Sequence, residues 1–150
     1  MYETVLRELI SQGDVFTGFS LSDYVFEDAD TPAFGARRVG PVVLISNDCD
    51  YDNKKFVMVA ELLVLRKAVS SEQMDIVRSY QTRRLFYYSS YGDRHPESCV
   101  DFCKIHRIDK RFISDCKDTH PRVASLTDQA QSALRMRLAF FFGVPDPIDR

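Results

Sequence analysis

No apolar run in this chain approaches the roughly 18 residues that a membrane-spanning helix requires, so a helical membrane protein is excluded. Met1 leads straight into the mixed pattern YETVLRELI, without the charged-then-apolar character of a secretory signal. Cysteine is sparse: the 4 thiols sit in an otherwise ordinary composition, which fits a reducing cytoplasm and predicts no disulfides. Internal repeats and low-complexity linkers are absent, so residues 1–150 are expected to form a single domain. A strong basic excess is missing as well. Residues 1–60 hold 5 basic and 10 acidic side chains and residues 61–150 hold 15 and 12, for a net charge of -2. Nucleic-acid binders draw most of their sequence-independent affinity from phosphate neutralisation, and the charge balance leans slightly against that class.

What is present is globular: 45% hydrophobic and 28% charged residues, enough to bury a core without metal or disulfide staples. Tyr2, Val5, Leu6 and Leu9 recur at helical spacing, and Ser11 to Gly13 is a plausible stop, so a short N-terminal amphipathic helix is predicted. Gly13-Asp14 opens VFTGF, a β-branched and aromatic strand candidate, followed from Ser20 to Gly40 by a long loop with Pro32 and Arg37-Arg38. The runs GPVVLIS and KFVMVAELLVL read as adjacent antiparallel strands at the centre of a sheet, because neither can be exposed on both faces without leaving a large apolar patch. EQMDIVRSYQ is helix-compatible, with Ser70 or Ser71 as cap, and RLFYYSSY and CVDFCKIHRI are two further strands. Ser125-Leu-Thr-Asp128 fits a capping box, and Leu126, Ala130, Leu134, Leu138 and Phe141 line one face of a closing helix that Gly143 and Pro145 stop.

Three clusters are candidates for chemistry. Between the central strands lies ISNDCDYDN, where Asp48, Cys49, Asp50 and Asp52 either gather as a polar site or form a turn. Asp and Asn bond their own backbone in turns, and no histidine lies nearby in sequence to activate the thiol. The reading adopted is a turn with Asp50 capping backbone groups and Cys49 packed as a small structural hydrophobe. Cys99, Cys103, His106, Cys116 and His120 include enough thiolates and imidazoles for a zinc site. Strand parity sets Cys99 and Cys103 apart from His106, and the spacing matches no common knuckle, so no metal and no cofactor are expected. In RRLFYYSSYGDR, Arg83, Arg84 and Arg94 flank Tyr87, Tyr88 and Tyr91. Such residues stack single-stranded bases or anchor protein partners, or else form a strand with one face in the core.

Gly13-Asp14-Val15, the arginine-bearing loop, Pro41 to Asn47, Asn53 and the strand Phe56 to Ala60 together resemble the MazF/PemK-like family. Over nearly the whole chain, Ser46-Asn-Asp-Cys49-Asp50, Val100-Asp-Phe102 and Arg122 to Leu126 ahead of a helix ending Phe-Phe-Gly resemble uncharacterised bacterial and phage members with a Ser-x-x-Cys-Asp signature. The resemblance implies an α+β fold, an SH3-like β-barrel elaborated here by N-terminal, middle and C-terminal helices, often a homodimer, and in the toxins cleavage of single-stranded RNA. It also implies an arginine immediately before the proline and a threonine ending the next strand. Here Gly40 precedes Pro41, Arg37 and Arg38 lie three or four residues back, and Leu62-Leu63-Val64 carries no hydroxyl. Phosphate transesterification needs a placed cation and a proton donor, and neither stands where the toxins have it. The expectation is a non-catalytic or weakly catalytic recognition module for a protein partner or single-stranded RNA in a toxin–antitoxin or defence setting. A sequence-specific endoribonuclease with Arg38 as displaced catalytic arginine, and a partner-binding inhibitor, are the alternatives.

Overall fold

The two apolar runs pair as expected: β5 (Arg38–Leu44) and β6 (Phe56–Val64) run antiparallel, with Val42 opposite Glu61 and Leu44 opposite Val59. They belong to a computed structural model that describes residues 4–5, 8–22, 24–26, 32–34, 38–93 and 95–143. Around them lie β1 (Thr4–Val5), β2 (Val15–Leu21), β7 (Leu85–Tyr88), β8 (Ser98–Asp109) and β9 (Arg122–Leu126), in the spatial order β1-β9-β2-β5-β6-β8-β7, every neighbouring pair antiparallel. The sheet curls into a half-barrel. Residues from β2, near one end, and β7, at the other, share one core with Val43, Ala60, Leu62, Val100 and Phe102, and the Tyr88 hydroxyl donates to the Gly13 carbonyl at 2.8 Å.

Alternation sorts the strands between two faces. Val43, Ala60 and Leu62 point into the concave core, which is closed by Ala130, Leu134 and Leu138 of α5 (Asp128–Gly143). Val42, Leu44, Val57 and Val59 point the other way, into a second cluster with Phe16, Phe19 and Ile113 of α4 (Arg111–Ser114). A third cluster packs α2 (Leu65–Ala68) and α3 (Ser71–Arg78) onto Tyr87 and Cys99. Burial on both faces is why β5 and β6 read as continuous apolar runs. The architecture is thus mixed α and β around an antiparallel sheet. None of the described helices is long and apolar enough to cross a membrane.

Several local expectations change. Within the predicted N-terminal helix, Thr4–Val5 instead pairs with β9, Thr4 opposite Leu126, because the open edge of β9 offers backbone partners that an isolated two-turn helix cannot match. The loop from Ser20 to Gly40 contains a small hairpin, β3 (Tyr24–Phe26) with β4 (Pro32–Phe34). Ser125 is not a helix cap. It lies buried in β9, and the cap is Thr127, whose Oγ1 accepts from the Ala130 N–H at 3.3 Å. Ser70 does stand at the N-cap of α3, without a side-chain cap bond, and Leu65 leaves the predicted strand to open α2.

Two glycines are dictated by backbone. Gly13 adopts φ +94°, donates to Leu44 O at 2.7 Å, and leaves room that a Cβ would take from Leu126 Cδ1 at 2.8 Å. Gly18, at φ +81°, sits where the register of β2 shifts between Phe16 and Phe19, and a Cβ there would collide with the Thr119 carbonyl oxygen.

Candidate functional site

The polar insert that joins the central strands is a helix, α1 (Asp48–Asn53), not a tight turn. Asn47 is its cap, accepting from the Asp50 N–H at 2.8 Å, so the capping role expected of Asp50 belongs to Asn47. Ser46 ties the insert to β6: its Oγ accepts from the Met58 N–H at 2.8 Å, and the Ile45 N–H donates to Met58 O at 3.0 Å. Asp48 accepts from the Gln12 N–H at 2.8 Å and faces Arg135 at 3.6 Å. Cys49 is exposed, contrary to the packed role expected of it, and its Sγ meets only the Asn53 amide at 3.4 Å. With no base or cation in that contact, nothing there activates the thiol.

Between α1 and α5 runs a groove of about 650 Å³. Its floor is Ile45, Met58 and Ile105; Asn47 and Asp50 form one wall, and Leu138, Ala139 and Phe142 the other. The groove arises because α5 continues beyond the edge of the concave core: Leu134 and Leu138 are buried, whereas Phe142 is 63% exposed and Met58 38%. Beside Met58 on the same face, Phe56 lies under the Arg107 guanidinium at 3.8 Å. The wall is held rigid from within, since Gln131 donates to Ser11 Oγ at 2.7 Å and to Gln12 O at 2.8 Å, and Arg135 Nε donates to Gln12 Oε1 at 2.9 Å.

A second cavity, about 450 Å³, opens at Gly40-Pro41 and is lined by Leu21, Val39, Glu61, Leu63, Lys67 and Lys104 among others. Glu61 interrupts the apolar run of β6, is 2% exposed, and pairs with His106 Nε2 at 2.9 Å. Arg38 stands opposite Leu21, one of the lining residues, in the β2–β5 ladder; Arg37 lies outside the described residues. No hydroxyl side chain is among the described residues that line it.

Of the three tyrosines in this segment two close up on folding, while Tyr91 stays 37% exposed. Tyr87 and Tyr88 are 3% and 1% exposed, the Tyr87 hydroxyl donating to Glu97 Oε1 at 2.8 Å, and burial pushes both phenols above their usual range. These rings cannot stack a base. Arg84 forms a two-point pair with Asp101, at 2.8 and 2.6 Å, and Arg83 donates to Phe141 O at 3.2 Å while lying over the Phe140 ring. Strand twist and the α2–α3 layer cover both faces of β7, a burial that the two-residue alternation alone does not reveal. Arg94 is outside the described residues. Of the thiols and imidazoles considered for zinc, Cys99 is buried beside Leu65 and its thiol is pushed up to about 11 by burial. Cys103 is exposed, His106 is held by Glu61, and His120 stacks on Phe19 with its Nδ1 3.1 Å from Thr17 O. The described residues bring no three His, Cys, Asp or Glu groups together for a metal.

Comparison of the chain with models of known protein families and with curated proteins gives no match. The groove residues Met58, Ile105, Leu138 and Phe142 were not singled out in the sequence. One signal pointed to them: Phe140, Phe141 and Phe142 are consecutive in a helix, and at 100° per residue three adjacent side chains cannot all enter one core. Glu61 gave another signal, as the single charge inside FVMVAELLV.

Proposed function

We propose that the protein is a recognition module of MazF/PemK-like, SH3-barrel type, without effective phosphotransfer machinery, that binds a protein partner in a bacterial or phage toxin–antitoxin setting. The observation that carries this reading is the groove beside α1: an apolar floor and wall open to solvent, continuous with the concave core, and bordered by Asp50 of the Ser-x-x-Cys-Asp segment. A solvent-open apolar groove rimmed by polar groups has the anatomy of an interaction site, an apolar centre within a polar border. Burial of Tyr87 and Tyr88 takes two of the three candidate stacking tyrosines out of reach of single-stranded RNA and leaves Tyr91, which weighs toward a protein partner. The non-catalytic part is supported by the cavity at Gly40-Pro41, where no arginine precedes the proline, the carboxylate of Glu61 is part of the lining, and no hydroxyl side chain is among the described residues that line it.

One observation favours the second reading, an endoribonuclease: Lys67 and Lys104 are among the lining of that cavity, and Arg38 pairs in the sheet with Leu21, another of its lining residues. The test runs both activities on the purified chain. Long single-stranded RNA should stay intact, and proteins retained from a bacterial lysate by the wild-type chain should be lost by Met58→Asp. Discrete RNA fragments that disappear in Arg38→Ala or Lys104→Ala would overturn the binding reading and restore the ribonuclease.

A further inference from the structure

Helix α1 has a second side. Asp50 borders the groove, whereas Asp48 and Asp52, four residues apart and so on one helical face, line a cleft of about 1050 Å³ on the opposite side. Glu8 and Asp128 complete its acidic lining, against Lys117 as the one cationic side chain among the described residues that line it. Three further cations approach, each with other partners. Arg135 meets Asp48 at 3.6 Å while its Nε donates to Gln12, Lys110 Nζ donates to the backbone carbonyls of Tyr51 and Asp52 at 2.8 and 3.2 Å, and Arg122 donates to the Glu8 and Leu9 carbonyls and pairs with Asp14 at 3.0 Å. Tyr51, also in the cleft lining, reports the local field: burial first, then the carboxylates of Asp115, Asp52 and Asp14, push its phenol above the usual range.

The two depressions are therefore neighbours of opposite character, one apolar and one anionic, separated by the width of a six-residue helix and the Arg135–Asp48 pair. We propose that the groove takes a cationic amphipathic peptide segment of the partner protein. Its apolar side chains enter against Met58, Leu138 and Phe142, and its Lys or Arg side chains, about one or two turns along a helix, lie in the cleft against Asp48, Asp52 and Asp128. Charge complementarity selects this occupant: an acidic segment or a nucleic-acid backbone would meet like charge across the cleft, while a purely apolar segment would leave the carboxylates unused. The inference rests on the protein-recognition reading and names the chemistry of the partner.

The experiment uses the full chain and three fluorescent peptides of about 14 residues, long enough for nearly four helical turns. The first is an amphipathic helix of leucine and lysine, the second has glutamate for lysine, and the third has the first composition in scrambled order. Anisotropy should show the lysine peptide binding at least ~10-fold tighter than the other two. Met58→Asp should weaken it by a similar factor, as should Glu8→Lys combined with Asp52→Lys, two exposed positions where circular dichroism checks that the fold is kept. If the glutamate peptide binds equally well and is still lost by Met58→Asp, the cationic inference fails while the groove reading stands. If the lysine and scrambled peptides bind equally and Met58→Asp changes nothing, the contact is surface charge alone and both fail. No binding of the lysine peptide overturns the inference.

Discussion

Lowering the pH from neutrality should destabilise the protein through His95. The imidazole is 2% exposed and stands edge-on to Tyr88 with ring centroids 6.1 Å apart. It bonds the Ser89 backbone, and Nε2 has no hydrogen-bond partner among the described residues. A second proton would place a charge where nothing accepts from it, so desolvation lowers the folded-state pKa below the ordinary 6.5. The sign follows from linkage. Above 6.5 both states are neutral and nothing is lost; below it the unfolded chain takes up a proton that the folded chain refuses, and stability falls with pH until the folded pKa is reached. If the folded group stays neutral, the loss between about pH 7.5 and 5.5 has a ceiling near 1.4 kcal/mol, one pH unit of full linkage. Glu97, Asp101 and Asp109 are all lowered from 4.5, 3.8 and 3.8, so their acid losses come at lower pH. Asp14, raised by burial, acts with the opposite sign and is common to wild type and variant. Urea denaturation of the wild type and His95→Gln across this range should therefore give a steeper pH slope for the wild type, the difference being His95 alone. Equal slopes, or an imidazole NMR titration of His95 at or above 6.5, would refute the reasoning.

Gly18→Ala should cost roughly 2–3 kcal/mol in denaturant midpoint at unchanged m-value, from positive φ and the clash with Thr119 O. Tyr88→Phe, which deletes the hydroxyl that closes β7 onto Gly13 O, should cost about 1 kcal/mol by thermal unfolding. Arg84→Ala leaves the buried Asp101 carboxylate with only the Cys103 N–H, and should cost about 1–3 kcal/mol at neutral pH. Because Asp101 is held below 3.8 when paired, that penalty should shrink as the pH falls through this range, as comparative urea melts would show. Cys49→Ser should change stability by less than about 0.5 kcal/mol, since the thiol is exposed and meets only Asn53.

The sequence by itself determined the elements whose residues answer to their own neighbours. The apolar runs around Val42–Leu44 and Val57–Leu62 had to be central sheet, and they pair antiparallel with both faces buried except at Met58. The spacing of Ala130, Leu134 and Leu138 had to be a core-facing helix, and Gly13 marked the break ahead of the first long strand. What depends on partners distant in the chain was decided by tertiary structure. Thr4–Val5 became a strand because β9 presents an open edge 120 residues away, and Ser125 was drawn into that same strand instead of capping a helix. Tyr87 and Tyr88 look like a stacking surface until α2, α3 and the curl of the sheet bury both faces of their strand. The groove exists for the same reason in reverse. Met58 and Phe142 are ordinary core residues by type, and only the place where α5 overruns the concave face leaves them in solvent, because the length of a helix is set locally but the extent of the surface it packs on is not.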